Sequence, residues 1–238
     1  MKPAHPRVLL SQRVRQFWRT WRWYVFFIFC VWVPVRSVIA DYNPVPTGSM
    51  NPTILEGDVV YVNKLAYGLR VPLTLQRIAT WADPARGDIV VVFSPKDGTR
   101  LVKRVVGVPG DTIAMVNDHL TINGAPLAYE SPAHDYRAII PHQWRPFAAF
   151  AEENLTGVEH TVMAMPRLAV PHRSFATITV PPGKYFLMGD NRDNSEDSRY
   201  FGFADRDAII GKATAIILSW DIKDTYLPRT QRFFTGLR

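Results

Sequence analysis

The sequence predicts a mostly β chain: an antiparallel β domain with a small inserted subdomain, preceded by one N-terminal transmembrane helix. Three observations carry this. From residue 41 onward, short runs rich in β-branched and aromatic residues alternate with Pro, Gly, Asn and Asp, the pattern of antiparallel strands and not of βαβ units. Residues 23–35 form one continuous apolar run. The net charge of +7 over 238 residues is also uneven. Lys2, Arg7, Arg13, Arg15, Arg19, Arg22 and Arg36 fall in the first 40 residues with no Asp or Glu, leaving 21 basic against 21 acidic residues over 41–238.

The leader comes first. Extending the apolar run to 21–40 gives 20 residues, about the ~20 a bilayer span needs. Arg22 and Arg36 lie near its ends, where long stems snorkel, and Trp21, Trp23 and Tyr24 suit the headgroup level. Basic residues preceding the run place the N-terminus in the cytoplasm and residues 41–238 outside. Leu10, Val14, Phe17, Trp18 and Trp21 recur at helical spacing, consistent with an interfacial helix or a solvated tail. Val38-Ile39-Ala40 also resembles a signal-peptide cleavage site, but Arg36 fits that reading poorly, so a retained anchor is favoured. Either reading exports the same domain.

The strands follow: residues 59–62, 89–93, 101–106, 112–116, 176–180, 185–188 and 213–220. Residues 119–127 read as a hairpin around Asn123-Gly124, the pair preferred where a tight turn needs positive φ. Residues 128–175 mix Pro, His, Arg and aromatics, with a short helix expected over 147–155. The organisation is thus a basic tail (1–20), an anchor (21–40), a first β part (41–127), an insertion (128–175) and a second β part (176–238).

Composition excludes several classes. A charge-balanced domain lacks the clustered cations that supply most nucleic-acid affinity. The 47% hydrophobic content argues against disorder. One cysteine, Cys30, permits no internal disulfide and no Cys-rich metal site. No Walker A sequence, G-x-G-x-x-G or H-E-x-x-H is present, and the acidic loop 190–197 does not meet the EF-hand pattern in either register. No cofactor and no metal are called for. Asn154-Leu155-Thr156 is formally a glycosylation sequon.

Four segments carry chemistry: Pro46-Thr47-Gly48-Ser49-Met50-Asn51-Pro52-Thr53; Arg86-Gly87-Asp88-Ile89-Val90; Lys103-Arg104-Val105-Val106-Gly107-Val108-Pro109-Gly110-Asp111; and Gly189-Asp190-Asn191-Arg192-Asp193-Asn194-Ser195-Glu196-Asp197-Ser198-Arg199. Together, in this order and behind an N-terminal anchor, they resemble the bacterial type I signal peptidase (leader peptidase) family. On residue chemistry alone, Ser49 sits in a turn where Gly48 allows close backbone approach and Pro46 and Pro52 restrict the flanks. A serine hydroxyl needs a base to attack. His5, His119, His134, His142, His160 and His172 all fall outside the four segments and read as surface or structural residues. Lysine is the other option: alternation puts Lys103 on the face of Leu101 and Val105, and burial there would lower its pKa toward use as a general base, although a strand-edge lysine has the same pattern.

The resemblance implies the rest. Ser49 matches the nucleophile and Lys103 the base. Thr47 matches the position whose hydroxyl joins the Ser49 N–H in an oxyanion hole; the family often has Ser there, and Thr keeps the donor while restricting χ1. Ser195 matches the residue that orients the lysine amine, and Asp190, Arg192, Asp197 and Arg199 match charged positions that brace the site. The implied activity is removal of signal peptides from preproteins by a single-pass enzyme of the bacterial inner membrane, with the bilayer and the translocon as neighbours. The alternatives are a peptidase dedicated to one client, such as a pilin or conjugation subunit, and a non-catalytic assembly module on the same fold. A Ser-Lys autoprotease of the repressor type lacks support, because the leader reads as a membrane span and no helix-turn-helix is evident.

Overall fold

The computed structural model describes residues 6–71, 74 and 76–237, with the side chains of 6–16 and 33–35 left aside. Lys2, His5 and the side chains of Arg7, Leu10, Arg13, Val14 and Arg15 lie outside the described part. The leader is helical in three segments joined end to end: α1 (Pro6–Phe27), a π-helical turn (Ile28–Trp32) and α2 (Val33–Val38). Among the described residues no helix is long and apolar enough to cross a membrane. The one transmembrane helix expected over 21–40 is not found as such: its residues are shared among the end of α1, the π turn and α2, and Ala40 already belongs to a strand. Pro34 has no N–H to give to the carbonyl one turn back, and the hydrogen-bond ladder just before it widens to the π pattern.

Strand β1 (Ala40–Pro44) starts two residues after α2 ends. Then come β2 (Asp58–Asn63), β3 (Gly68–Arg70), β4 (Arg77–Thr80), β5 (Ile89–Phe93), β6 (Arg100–Gly107), β7 (Thr112–Val116), β8 (His119–Ile122), β9 (Ala125–Pro126), β10 (Ala128–Glu130), β11 (Ala149–Asn154), β12 (Glu159–Ala164), β13 (Phe175–Thr179) and β14 (Lys184–Met188). A short helix α3 (Ser198–Phe201) precedes β15 (Ala204–Asp205), β16 (Ile209–Ser219) and β17 (Thr235–Gly236). The main sheet runs β1-β2-β16-β5-β6-β14-β15, with β17 beside β16, and every pairing in it is antiparallel. Smaller antiparallel sheets are β13-β7-β8-β9, β10-β11-β12 and β3-β4.

The centre of the main sheet explains itself. The uninterrupted Ile-Val-Val-Val-Phe run of β5 suits a strand covered on both faces. Ile89 and Val91 pack with Val60, Val62, Val102 and Ile216 on one face, whereas Val90 and Val92 pack with Val105, Leu187 and Ile209 on the other. Each such side chain, fully buried, contributes about 1.5–3 kcal/mol. A third core joins Val106 and Phe186 to Ile113, Met115, Leu120 and Ile122 of the β7-β8 hairpin. The turn after β8 holds Asn123 and Gly124 at φ +53° and +79°, as a tight hairpin turn requires.

Two expectations are corrected. Residues 147–155 are not helical: 149–154 form β11, hydrogen-bonded to β10 on one side and β12 on the other. Ala, Phe and Glu give that segment a helix-compatible composition, but pairing on both edges and burial of Glu153 against Arg192 override it. Strand β16 also starts at Ile209, ahead of the expected 213. Gly211 interrupts the apolar pattern there because a Cβ would lie 2.6 Å from the Asn63 carbonyl of the neighbouring strand.

One feature of the sheet positions the site. Strand β6 pairs with β5 over 100–104, but β14 meets its other edge only at Arg104, Val105 and Gly107. After Met188 the chain turns away at Gly189, so residues 101–103 keep an edge without a strand partner among the described residues.

Candidate active site

Ser49 lies in the loop joining β1 to β2. The loop is closed at its base by Val45 N–H to Asp58 O (2.8 Å) and Gly57 N–H to Val45 O (2.8 Å), and internally by Ile54 N–H to Met50 O (2.9 Å). Met50 and Ile54 anchor it in the core. Gly48 is required by space: a Cβ would fall 2.5 Å from Glu56 Oε1 and 2.6 Å from Asn51 Nδ2. From the other side, Asn191 grips the turn, its N–H donating to Ser49 O (3.1 Å) and its Nδ2 to Gly48 O (3.0 Å). Ser49 remains partly exposed, and Thr47, two residues upstream, is exposed.

Lys103 enters from the open edge of β6. Its residue is only 2% exposed, and its Nζ donates to Ser49 Oγ at 2.6 Å. Burial pulls the ammonium down to about 8, an effect that the negative charges of Asp197 and Asp190 partly oppose and the positive charge of Arg199 reinforces. A lysine so placed is neutral in roughly a tenth of molecules at pH 7 and in about half at pH 8, and in that form it can accept the proton of the hydroxyl it touches.

Around this pair is a buried charge framework. Asp190 takes Arg104 Nε (2.9 Å) and Nη2 (2.8 Å) side-on and accepts from Thr53 Oγ1 (2.6 Å). Burial would raise its carboxyl, but Arg104 and Thr53 hold it down at about 2. Asp197 binds Arg199 through two 2.8 Å contacts and accepts from the Gly189 N–H (3.0 Å), which keeps its carboxyl low despite burial. Arg192 donates to Glu153 (2.7 Å), tying β11 to the 190–199 loop. The buried His160 stands 3.5 Å from Glu153 and 3.8 Å from Asp190, and burial with the nearby Arg104 depresses its imidazole to about 4. Ser195 is buried beside Gly189, where a Cβ would collide with the Ser195 hydroxyl and with Ser49 O. The hydrogen bond expected between Ser195 and Lys103 is not formed among the described residues.

Comparison with known proteins places the chain in a family. The family model described as "Signal peptidase, peptidase S26" covers residues 18–220, a span that contains all four segments. The chain belongs to this signal peptidase family. Among its relatives, a signal peptidase I of Pseudomonas fluorescens is 38% identical over 213 residues, covering 83% of this chain and 72% of that protein. One of Pseudomonas aeruginosa is 36% identical over the same shares of each chain. A crystal structure of a signal peptidase I from Enterococcus faecalis is 33% identical, with 57% of this chain and 100% of that chain aligned at a TM-score of 0.35.

The site of this signal peptidase family member also holds residues to which sequence reasoning gave no role. Arg104 sits next to Lys103 in the same motif, and alternation points it to the opposite face, where an unpaired buried cation would be costly and where Asp190 pairs with it. Asn191 lay within a quoted motif. Thr53 likewise closes the first motif, though its partner Asp190 is 137 residues away; Glu153 had no local signal, because its partner Arg192 is distant in sequence.

Proposed function

We infer that this chain is a membrane-anchored serine endopeptidase that removes N-terminal signal peptides from translocated preproteins. The observation that carries the reading is the 2.6 Å contact between the buried Lys103 amine and Ser49 Oγ. In its neutral form Lys103 takes the Ser49 proton as Oγ attacks the scissile carbonyl. The Ser49 N–H and the Thr47 hydroxyl receive the oxyanion, Lys103 returns the proton to the departing amine, and an acyl-enzyme remains on Ser49. Water deacylates it with Lys103 again as base. Asp190, Arg192, Asp197 and Arg199 hold the framework, Ser195 is buried beside Gly189, and no cofactor takes part.

The unpartnered edge of β6 at 101–103, which ends at Lys103, suits a substrate bound as an added strand through main-chain hydrogen bonds. Residues 128–175 are read as an inserted unit whose sheet reaches the site through Glu153 and Arg192. The anchor is read as residues 21–40, of which 21–38 are helical and at 1.5 Å per residue reach about 27 Å. Trp23, Phe26, Phe27, Phe29 and Trp32 are all more than half exposed there, as lipid-facing side chains would be. The short β1 strand then holds Ser49 near the membrane face. Preprotein cleavage by Ser49→Ala and Lys103→Ala variants tests the mechanism, since full activity in either overturns it. Release of the chain from membranes by alkaline carbonate would overturn the anchor.

A further inference from the structure

A cavity of about 540 Å³ opens where α2 meets the β domain, and it shares no lining residue with the Ser49–Lys103 site. Its walls include Trp32 at the end of the π turn, Arg36 of α2, Asp41 of β1, Lys64 just after β2, Arg70 of β3 and Arg100 at the start of β6. Charge is unbalanced: the only acidic residue among the described lining is Asp41, facing four cations. Its carboxylate receives Lys64 at 3.0 Å, Arg100 at 3.2 Å and Arg36 at 3.4 Å, and one negative charge leaves that group strongly positive.

The cations differ in what they have left to give. Lys64 is spent on Asp41 and on the carbonyls of Arg36 (3.0 Å) and Ser37 (3.3 Å). Arg70 donates to the carbonyls of Asp207 and Ile209. Arg36 gives Asp41 only its Nε, and Arg100 gives only Nη1. Their side chains are 41% and 45% exposed and both line the cavity, with Arg100 Nη1 also near Asn43 Oδ1 at 3.5 Å, so each planar fork can offer further donors there, the geometry that grips phosphate oxygens in pairs. The level also fits. Arg36 lies over the rings of Trp32 (5.6 Å) and Tyr42 (4.4 Å), an aromatic setting suited to the headgroup region at the end of an apolar helix.

We propose that this cavity binds the phosphate of an acidic phospholipid in the leaflet facing the β domain, with Arg36 and Arg100 as donors and Trp32 as the wall toward the acyl chains. The site rests on the anchor reading given above. The test uses the full chain with vesicles of phosphatidylcholine alone or mixed with phosphatidylglycerol. Co-sedimentation reads the anchor, and lipid retained on the detergent-extracted protein, measured by native mass spectrometry, reads the site. The wild type is expected to sediment with both vesicles and retain phosphatidylglycerol preferentially. Arg36→Gln/Arg100→Gln should still sediment but lose that preference by about tenfold, while Arg137→Gln/Lys184→Gln, removing two cations elsewhere, keeps it. Arg36→Lys/Arg100→Lys, which preserves charge and fold, should retain part of it. Sedimentation without preference, or a preference that survives the glutamine pair, overturns the site alone. Displacement of the lipid by equimolar inorganic phosphate shows a free-anion site and overturns the lipid assignment. A wild type that does not sediment with phosphatidylcholine overturns the anchor and the site with it.

Discussion

Lys103 and Ser49 are 54 residues apart in the chain, yet the Lys103 amine rests 2.6 Å from the Ser49 hydroxyl. Neither end of this contact is left to local chance. Lys103 is held on β6 between the main cores, and Ser49 by a loop whose Met50 and Ile54 are buried and whose carbonyls are gripped by Asn191. The contact therefore brings together two rigid elements, the arrangement that proton transfer between fixed partners requires.

The first prediction concerns the identity of the base. Lys103→Ala and Ser49→Ala should each lower preprotein cleavage by about 10⁴-fold or more, and the double variant should be little worse than either single one, because the two act as a unit. Lys103→Arg should be as inactive as Lys103→Ala although it keeps the charge, since a guanidinium does not deprotonate near neutral pH. Steady-state cleavage of a preprotein distinguishes these outcomes, and substantial activity in Lys103→Arg would remove lysine from the base role.

The second follows from the Lys103 amine lying at about 8. Only its neutral form can accept the serine proton, so kcat/KM should rise with pH, nearly tenfold per unit well below 8, and level off above it. Asp197 raises this pKa through its charge. Asp197→Asn should therefore move the midpoint of the profile to lower pH in whatever activity remains, and a shift to higher pH would contradict the assignment.

Stability supplies the third. The folded Lys103 binds its proton more weakly than an unfolded lysine at about 10.4, so between pH 8 and 10.4 the unfolded state carries more protons and wild-type stability rises with pH. Below 8 the buried ammonium is a constant cost. Lys103→Met should accordingly be inactive but more stable at pH 7, by on the order of 1–3 kcal/mol, with the advantage shrinking toward pH 10. Denaturant melts at the two pH values check this; a gap that does not close sinks it.

How far the sequence could be read depends on the range of the interaction involved. β5 was legible because a strand covered on both faces has to be apolar without interruption, and the Asn123-Gly124 hairpin because its turn chemistry is local. That Ser49 and Lys103 would meet was expected only through the family resemblance of their short motifs, since alternation alone fits a strand-edge lysine as well. β11 was not legible: its Ala and Glu residues look helical until β10 and β12 take both its edges. Nor were the pairs Thr53–Asp190, 137 residues apart, and Arg192–Glu153, 39 apart, whose members have no local reason to be buried together. Strand alternation places Arg104 opposite Lys103, but nothing along the chain names Asp190 as the partner that makes its burial tolerable.

The fourth prediction concerns acid stability. His160 is buried with its imidazole held down to about 4, against an ordinary value near 6.5. Between pH 6.5 and 4 the unfolded chain binds a proton that the folded one refuses, so stability falls as pH drops through that window. His160→Leu should flatten this part of the curve. Asp190, held at about 2, adds its own loss lower down, as pH falls from about 4 toward 2, and that loss should persist in His160→Leu. Identical melting curves for wild type and variant from pH 6.5 to 4 would assign the slope elsewhere.

The last prediction separates positioning from chemistry. Asn191 touches neither Ser49 Oγ nor Lys103 Nζ; it holds the turn by its N–H to Ser49 O (3.1 Å) and its Nδ2 to Gly48 O (3.0 Å). Asn191→Ala removes only the side-chain bond and leaves the Gly48 carbonyl buried without it, at a cost of about 1–3 kcal/mol in stability. The Ser49 turn is then free to shift against Lys103, and a displacement of about 1 Å costs on the order of 10²-fold in a step that depends on alignment. The loss should appear in kcat with KM little changed, because the open edge of β6 is untouched. The pH midpoint should stay where it is, because Asn191 carries no charge to act on Lys103. Asn191→Asp, which keeps the shape but replaces the donor with a carboxylate facing the Gly48 carbonyl, should not rescue activity. A variant in which KM rises while kcat holds would make Asn191 a substrate contact instead.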